Sequence, residues 1–121
     1  IALITDSMRG AGMPPGESIL GSKHNGLKVI IEDGVAKLPD RTSFAGSVAT
    51  CDRLVRNMIK MADVPLLEAV KMASLTPANI LGIASNKGSL VKGKDADIVI
   101  FDEDIRVSTT IVGGRIVYTK V

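Results

Sequence analysis

One carboxylate near the start of the chain has the sequence context of a catalytic group. Asp6 follows the apolar run Ile1–Ile4 and a single threonine, so it lies where a buried strand is expected to end. Enzymes built on parallel sheets and barrels place their catalytic side chains at the carboxyl ends of strands. Aspartate is also a common turn residue. From these residues alone, Asp6 is either a catalytic carboxylate or the cap of the turn that follows.

Three other chemically capable side chains are predicted to have different roles. His24 is the only histidine, and the Lys23 to Gly26 segment predicts a hairpin tip, where the partners that a metal site needs are missing. Cys51 is the only cysteine, so an internal disulfide is excluded, and its helical apolar pattern predicts a buried core thiol. Arg9 lies in a glycine-rich loop and is read as a solvated cation rather than as an anion ligand. No metal ligand is therefore assigned.

Composition predicts a globular domain and excludes several kinds of partner. The 121 residues are 45% hydrophobic and 23% charged, enough to bury a core. The net charge is only +2, with the cations spread along the chain, and the two Phe, one Tyr and no Trp offer no stacking platform. We therefore expect no nucleic-acid partner and no membrane partner. We find no signal peptide or membrane-length apolar run, which makes a reducing cytoplasm the expected compartment.

Turn residues and apolar periodicity divide the chain into a loop, hairpins, helices and a final β region. Asn25-Gly26 and Asp33-Gly34 are dipeptides that favour type I′ hairpin turns. Ser47 is a good helix N-cap ahead of an amphipathic pattern that reaches Ala62. The predicted elements are a loop over 7–16, strands over 1–4, 18–20, 27–32, 34–38, 98–101, 109–112 and 115–118, and helices over 47–62, 66–74 and 76–82.

Three sequence runs in the second half of the chain resemble the C-terminal part of the amidohydrolase superfamily. They are ASLTPANILG at 73–82, KGSLVKGKDADIVIFD at 87–102 and TIVGGRIVY at 110–118. The resemblance implies an α/β fold, namely the C-terminal part of a metal-dependent hydrolase (β/α)8 TIM barrel plus the C-terminal strands of a small β-sandwich domain. It places the last barrel strand, inserted β hairpins and following helices in residues 1–84, and the sandwich strands in residues 85–121.

Two shorter motifs resemble the N-acetylglucosamine-6-phosphate deacetylase family within that superfamily. Thr5-Asp6-Ser7-Met8 is similar to the Thr-Asp-Ala-type end of that family's last barrel strand. Phe44-Ala45-Gly46-Ser47 is similar to its Leu-Ala-Gly-Ser-type turn, although Phe44 stands where an aliphatic residue is expected. The resemblance implies that the chain is about the last third of an enzyme converting N-acetylglucosamine 6-phosphate to glucosamine 6-phosphate and acetate.

The same resemblance implies roles for four residues and for groups outside the chain. Asp6 is the catalytic base and then the acid, while Phe44, Ala45 and Gly46 contact the sugar. A divalent metal, zinc or iron, is held by a Glu and two His that these 121 residues do not include. The implied partner is a phosphorylated amino sugar, and we expect a homo-oligomer. Two alternatives stay open: another amidohydrolase, dihydroorotase-like or deaminase-like, and a non-catalytic β-rich module.

Overall fold

The computed structural model describes residues 1–120, which form two compact units. The hairpin unit is Ile4–Cys51, and the helix-sheet unit is Ile1–Leu3 with Asp52–Val121. The predicted division between residues 84 and 85 stays a prediction. The elements in chain order are β1 Gly16–Leu20, β2 Leu27–Glu32, β3 Val35–Lys37, α1 Cys51–Ala62, α2 Leu66–Ala73, α3 Leu75–Ile80, β4 Ile98–Phe101, β5 Val107–Val112 and β6 Arg115–Thr119.

The hairpin unit contains an antiparallel sheet in the order β1-β2-β3. The predicted type I′ turn at Asp33-Gly34 is confirmed, because both residues have positive φ, 53° and 71°. The predicted two-residue turn at Asn25-Gly26 is wrong. The chain leaves β1 after Leu20 and forms a longer loop, in which the Gly26 amide donates to the Ser22 carbonyl oxygen at 2.8 Å. That hydrogen bond closes the loop ahead of β2.

The core of the hairpin unit lies on one face of its sheet. Side chains alternate along β2, so Val29 and Ile31 are buried while Lys28 is exposed. Val29 is only 1% exposed. The cluster around it consists of Met8, Ala36 and Ala45, with Leu20, Leu38 and Val48 packed against it. This cluster joins the loop after Asp6 to the segment that contains Ala45, and so fixes both chain segments on the same sheet.

The helix-sheet unit packs its helices around a second small core. Val55 of α1, Ala69 of α2 and Ile105 are buried together, and Leu3 packs against them. Its sheet is antiparallel in the order β4-β5-β6. The predicted glycine turn between β5 and β6 is confirmed, with Gly113 and Gly114 at φ 55° and 79°. None of the helices within residues 1–120 has the length and apolar character that crossing a membrane requires.

Three sequence predictions at the ends of elements are wrong. Ile1–Ile4 is not a strand, and the Ile1 and Ile4 side chains are 84% and 75% exposed. A strand needs a neighbouring strand, whereas the Leu3 amide donates to the Met72 carbonyl oxygen in α2 at 2.8 Å. Helix α1 begins at Cys51, because the Ser47 hydroxyl instead accepts a hydrogen bond from the Ala49 amide at 3.1 Å. Cys51 is therefore an exposed helix-end thiol and not a core residue.

Candidate active site

Asp6 lies beside the Phe44–Gly46 segment because the two flanking serines pair. Ser7 and Ser47 form an isolated parallel bridge, and the Met8 amide donates to the Ser47 carbonyl oxygen at 2.9 Å. The Ser7 hydroxyl adds a hydrogen bond to the Ala49 carbonyl oxygen. Asp6 directly precedes Ser7, and Gly46 directly precedes Ser47. Because the two segments run in parallel, Asp6 and Gly46 lie side by side. The predicted catalytic residue and the predicted substrate turn are thus neighbours.

The Asp6 carboxylate is exposed and makes no hydrogen bond or ion pair within residues 1–120. Its backbone has φ 45°, a left-handed conformation that aspartate adopts more readily than most residues. Asp40 shows what a capping aspartate looks like in this chain. Its Oδ1 accepts from the Thr42 amide at 3.0 Å, and this bond holds the pKa of the Asp40 carboxyl below its usual value. Asp6 lacks such a bond, so its side chain does not cap a turn.

The Phe44-Ala45 dipeptide continues the hairpin sheet on the far side of β3. Phe44 pairs antiparallel with Lys37, and the Ala45 amide donates to the Ala36 carbonyl oxygen at 2.8 Å. The two side chains point to opposite faces, as in a strand. Ala45 is 7% exposed and belongs to the core, whereas Phe44 is 76% exposed. Of these two residues, only Phe44 therefore has a side chain open to a ligand, and Ala45 offers its backbone.

Gly46 is required by the fold itself. Its φ of +97° is a conformation that residues with a side chain rarely adopt. A Cβ at this position would also lie 3.3 Å from Leu20 Cδ1 and 3.5 Å from Met8 Sδ. Sequence reasoning attributed this glycine to the close approach of a substrate. The structure adds a reason that sequence reasoning missed: the backbone conformation disfavours a residue with a side chain, and an added Cβ would press on Leu20.

A charge network holds the loop that leads into the Phe44 segment. Arg41 Nε donates to Glu32 Oε1 at 2.8 Å, and Lys37 Nζ lies 3.2 Å from the same oxygen. Lys37 also pairs with Asp33 at 2.9 Å. Arg41 first, and then Lys37, lower the pKa of the Glu32 carboxyl below its usual value. This network was not predicted, because its residues come together only through the β2–β3 hairpin and the turn that follows it.

Residues 1–120 do not provide a metal site of their own. They contain no group of three or more His, Cys, Asp and Glu side chains arranged to hold a metal ion. His24 is exposed in the β1–β2 loop, where its amide donates to Ser22 Oγ at 3.3 Å. Asp6 alone is not a ligand set for a divalent ion.

The sequence matches the amidohydrolase family over residues 6–117. The chain belongs to the amidohydrolase family. The family match begins at Asp6 and includes the Phe44–Gly46 turn as well as most of the helix-sheet unit. Members of the amidohydrolase family are metal-dependent hydrolases.

Two curated relatives of this amidohydrolase show how much of a longer protein the chain represents. It is 46% identical over 116 residues to an N-acetylglucosamine-6-phosphate deacetylase from Lysinibacillus sphaericus, covering 96% of this chain and 28% of the relative. It is 39% identical over 116 residues to an N-acetylgalactosamine-6-phosphate deacetylase from Escherichia coli O157:H7, covering 96% of this chain and 29% of the relative. The chain thus spans less than a third of the length of these two relatives.

Solved structures of the same enzyme class share the fold of this amidohydrolase chain. An N-acetylglucosamine-6-phosphate deacetylase from Thermotoga maritima superposes with a TM-score of 0.82 at 35% identity, covering 99% of this chain and 31% of that one. A mutant of the Mycobacterium smegmatis enzyme in complex with N-acetyl-D-glucosamine-6-phosphate superposes with a TM-score of 0.81 at 32% identity, covering 98% and 30%. The two small sheets therefore belong to a known amidohydrolase architecture.

Proposed function

We propose that this chain is the C-terminal part of a metal-dependent amidohydrolase that deacetylates N-acetylglucosamine 6-phosphate to glucosamine 6-phosphate and acetate. The observation that carries the proposal is the free Asp6 carboxylate, placed beside Gly46 by the Ser7–Ser47 pairing. In this proposal, residues 1–84 complete a (β/α)8 barrel and residues 85–121 contribute strands to a small β-sandwich. The protein acts in the cytoplasm as a homo-oligomer.

Asp6 transfers the proton that amide hydrolysis requires. Its carboxylate accepts a proton from the water molecule that attacks the acetamido carbonyl carbon. The same proton then passes from Asp6 to the nitrogen of the leaving amine, because an amine is too poor a leaving group to depart unprotonated. An exposed carboxylate suits both steps, since no hydrogen bond from residues 1–120 competes for its lone pairs.

The Phe44–Gly46 turn holds the sugar next to that carboxylate. The exposed Phe44 ring offers an apolar surface for one face of the sugar, and the exposed Gly46 offers backbone atoms. The Ala45 side chain is committed to the core, so its part in binding falls to backbone atoms. The core and the ion pair between Arg41 and Glu32 hold this turn in place before substrate binds. Binding therefore loses less conformational entropy than it would with a mobile turn.

The metal of the proposed enzyme is zinc or iron, held by a Glu and two His outside this chain. Such an ion polarises the amide carbonyl and lowers the pKa of water. The described residues contain no ligand set for it, so the 121-residue chain alone is expected to be inactive even with added zinc or iron. Turnover by the purified chain would show that its own residues hold the metal.

A chain exchange tests the proposed reaction directly. In the swapped enzyme, this chain replaces the matching 116-residue segment of the Lysinibacillus sphaericus relative. We expect the swapped enzyme to release acetate from N-acetylglucosamine 6-phosphate. The galactosamine epimer is the second candidate substrate, because the chain is 39% identical to an enzyme named for it. Comparing kcat/KM for the two sugar phosphates distinguishes these candidates.

The swapped enzyme also tests the two alternatives outside this enzyme class. A folded swapped protein with no activity on either acetylated sugar phosphate, but with dihydroorotase or deaminase activity, would favour another amidohydrolase. A folded protein inactive on all of these substrates would favour the non-catalytic β-rich module. The parental relative, assayed in parallel, controls for metal loading and for the assay itself.

A further inference from the structure

The loop between β1 and β2 contains Asn25-Gly26, a dipeptide that the proposed reaction does not use. Asn25 is exposed, and its side chain makes no hydrogen bond within residues 1–120. The carbon of its side-chain amide is therefore open to attack by a nucleophile. The backbone nitrogen of Gly26 is the next such group along the chain.

The chemistry available to this pair is deamidation through a cyclic imide. The Gly26 nitrogen gives up its proton and bonds to Asn25 Cγ, while the bond from Cγ to Nδ2 breaks and ammonia leaves with the released proton. Water then opens the succinimide ring at either of its carbonyl carbons, which yields aspartate or isoaspartate at position 25. Glycine favours the ring closure, because it has no Cβ to obstruct it and the widest choice of backbone conformations.

The fold requires glycine at position 26 for a reason of its own. A Cβ on Gly26 would lie 2.4 Å from the carbonyl oxygens of Leu20 and Ser22. It would also lie 2.5 Å from Ile19 Cγ2. Backbone oxygens cannot move aside as the end of a flexible side chain can, so any larger residue would disrupt the loop. The loop therefore needs the same residue that makes Asn25 reactive.

One hydrogen bond restrains this reaction in the folded chain. The Gly26 amide donates to the Ser22 carbonyl oxygen at 2.8 Å, which holds the proton that the Gly26 nitrogen has to lose. A second bond in the loop, from the His24 amide to Ser22 Oγ, is long at 3.3 Å. Surface loops with few internal hydrogen bonds open locally while the sheet beside them stays folded. Such an opening frees the Gly26 nitrogen for attack.

We propose that Asn25 is a site of spontaneous deamidation, and that opening of the Gly26-to-Ser22 hydrogen bond limits its rate in the folded chain. Either product replaces a neutral amide with a carboxylate, which lowers the formal net charge of +2 by one. Isoaspartate also adds a methylene group to the backbone between residues 25 and 26. Because Gly26 already lies against two carbonyl oxygens, the isoaspartate form should lose the bond to Ser22 and loosen the loop.

Peptide mapping of the incubated 121-residue chain by mass spectrometry tests the site. Asn86 is the matched control, since it is also exposed and the amide after it, that of Lys87, donates to the Ile83 carbonyl oxygen at 3.0 Å. The residue that follows Asn86 carries a side chain, whereas Gly26 does not. We expect Asn25 to deamidate about tenfold or more faster than Asn86, with isoaspartate among the products. Equal rates at the two asparagines would overturn the proposal.

Denaturation of the same chain tests the restraint that the hydrogen bond imposes. In concentrated urea the Ser22 carbonyl oxygen no longer holds the Gly26 amide, so deamidation of Asn25 should become several-fold faster than in the folded chain. An unchanged rate would show that this hydrogen bond does not limit the reaction. Reaction in urea with none in the folded chain would show that the fold blocks the site. Either result would contradict the proposal.

Two variants assign the acidic species that isoelectric focusing should resolve during the incubation. Asn25→Asp carries the new charge from the start and marks the position of the product. Asn25→Gln keeps the amide but would need a larger ring, so the acidic species should form far more slowly. Neither variant removes a hydrogen bond within residues 1–120, so both should keep the parental circular dichroism spectrum. Formation of the acidic species at the parental rate in Asn25→Gln would place the reaction at another residue.

The swapped enzyme tests the same site in a whole protein. Mapping should again find Asn25 deamidated ahead of Asn86. Protection of Asn25 in the folded swapped enzyme, with reaction in urea, would mean that the complete protein covers the loop, and the proposal would fail. Mapping needs no turnover, so its result stands even if the swapped enzyme proves inactive and the proposed function fails.

Discussion

Ser7 pairs with Ser47 in a single parallel bridge, and this pairing places Asp6 beside Gly46. The bridge joins segments that are far apart in the sequence, and the Ser7 hydroxyl strengthens it through the Ala49 carbonyl oxygen. A carboxylate held in a fixed position beside a turn can act on a ligand that the turn binds. The geometry of this small contact therefore underlies the proposed reaction.

Ser7→Ala should weaken the contact without unfolding the hairpin unit. The variant removes the hydroxyl but keeps the Met8-to-Ser47 backbone bond, so we expect a stability loss of about 1 kcal/mol. In the swapped enzyme kcat should fall more than KM rises, because the misplaced group is Asp6, the proposed proton carrier. Ser7→Thr retains a hydroxyl and should restore most of the loss. Equal kinetics for the alanine variant and the parent would show that the hydroxyl does not position Asp6.

Gly46→Ala should destabilise the hairpin unit through strain and crowding together. We expect a loss of about 1–3 kcal/mol, because the positive φ disfavours any Cβ and Leu20 and Met8 lie close to it. Gly21→Ala is the matched control, with φ +84° and no atom within 4 Å of the added Cβ. Chemical denaturation of both variants separates the two effects. A smaller loss for Gly46→Ala than for Gly21→Ala would rule out the core-packing role of Gly46.

Stability of the helix-sheet unit should depend on pH through Asp97. The Lys87 ammonium, followed by the Gly113 amide at 2.8 Å, lowers the pKa of the Asp97 carboxyl below its ordinary 3.8. A lowered folded-state pKa stabilises the fold above pH 3.8, and this contribution is lost as the pH falls through the folded value. Asp97→Asn should therefore melt below the parent at neutral pH.

The gap in melting temperature between Asp97→Asn and the parent should close as the pH falls below 3.8 and through the lowered folded-state pKa. Asp63→Asn serves as the control, since Asp63 is exposed and has no ion pair within residues 1–120. The Asp63 variant should follow the parent at every pH. A gap for Asp97→Asn that is the same at neutral and acid pH would contradict the electrostatic account.

The isolated chain is expected to self-associate. Ile1, Ile4 and the β6 residues Ile116 and Val117 are large apolar side chains that are 61% to 84% exposed. Exposed apolar patches and open strand edges both drive association. We expect association through these exposed apolar side chains and not through a strand at residues 1–5, because those residues form no strand and the Leu3 amide donates to the Met72 carbonyl oxygen of the same chain. Sedimentation as a single monomer across a wide concentration range would contradict this expectation.

Local sequence signals predicted most elements of this fold. The Asp33-Gly34 turn and the Gly113-Gly114 turn depend on the conformational limits of the residues themselves. The strand prediction for Ile1–Ile4 was wrong because a strand depends on more than the residues themselves. An apolar run predicts burial, but whether it becomes a strand depends on partners that the run does not specify, and here the Leu3 amide bonds to α2.

The candidate site was predicted in part, and mainly through family resemblance. Asp6 and the Phe44–Gly46 turn were named from their motifs, and the structure brings them together. Their roles in catalysis and substrate binding remain predictions. The bridge between Ser7 and Ser47 could not be derived, because it joins segments that are distant in the sequence. The ion pairs of Arg41 and Lys37 with Glu32 could not be derived either, because they depend on how the β2–β3 hairpin and the following turn fold back.

The kcat of the Asp6→Asn variant of the swapped enzyme tests the central claim most directly. Asparagine keeps the size of the side chain but cannot carry the proton, so kcat should fall by roughly 10²–10⁴-fold while the metal content stays that of the parent. Asp63→Asn, which alters another exposed aspartate with positive φ, should leave kcat unchanged. Parental turnover by the Asp6 variant would contradict the account, because Asp6 would then have no part in proton transfer.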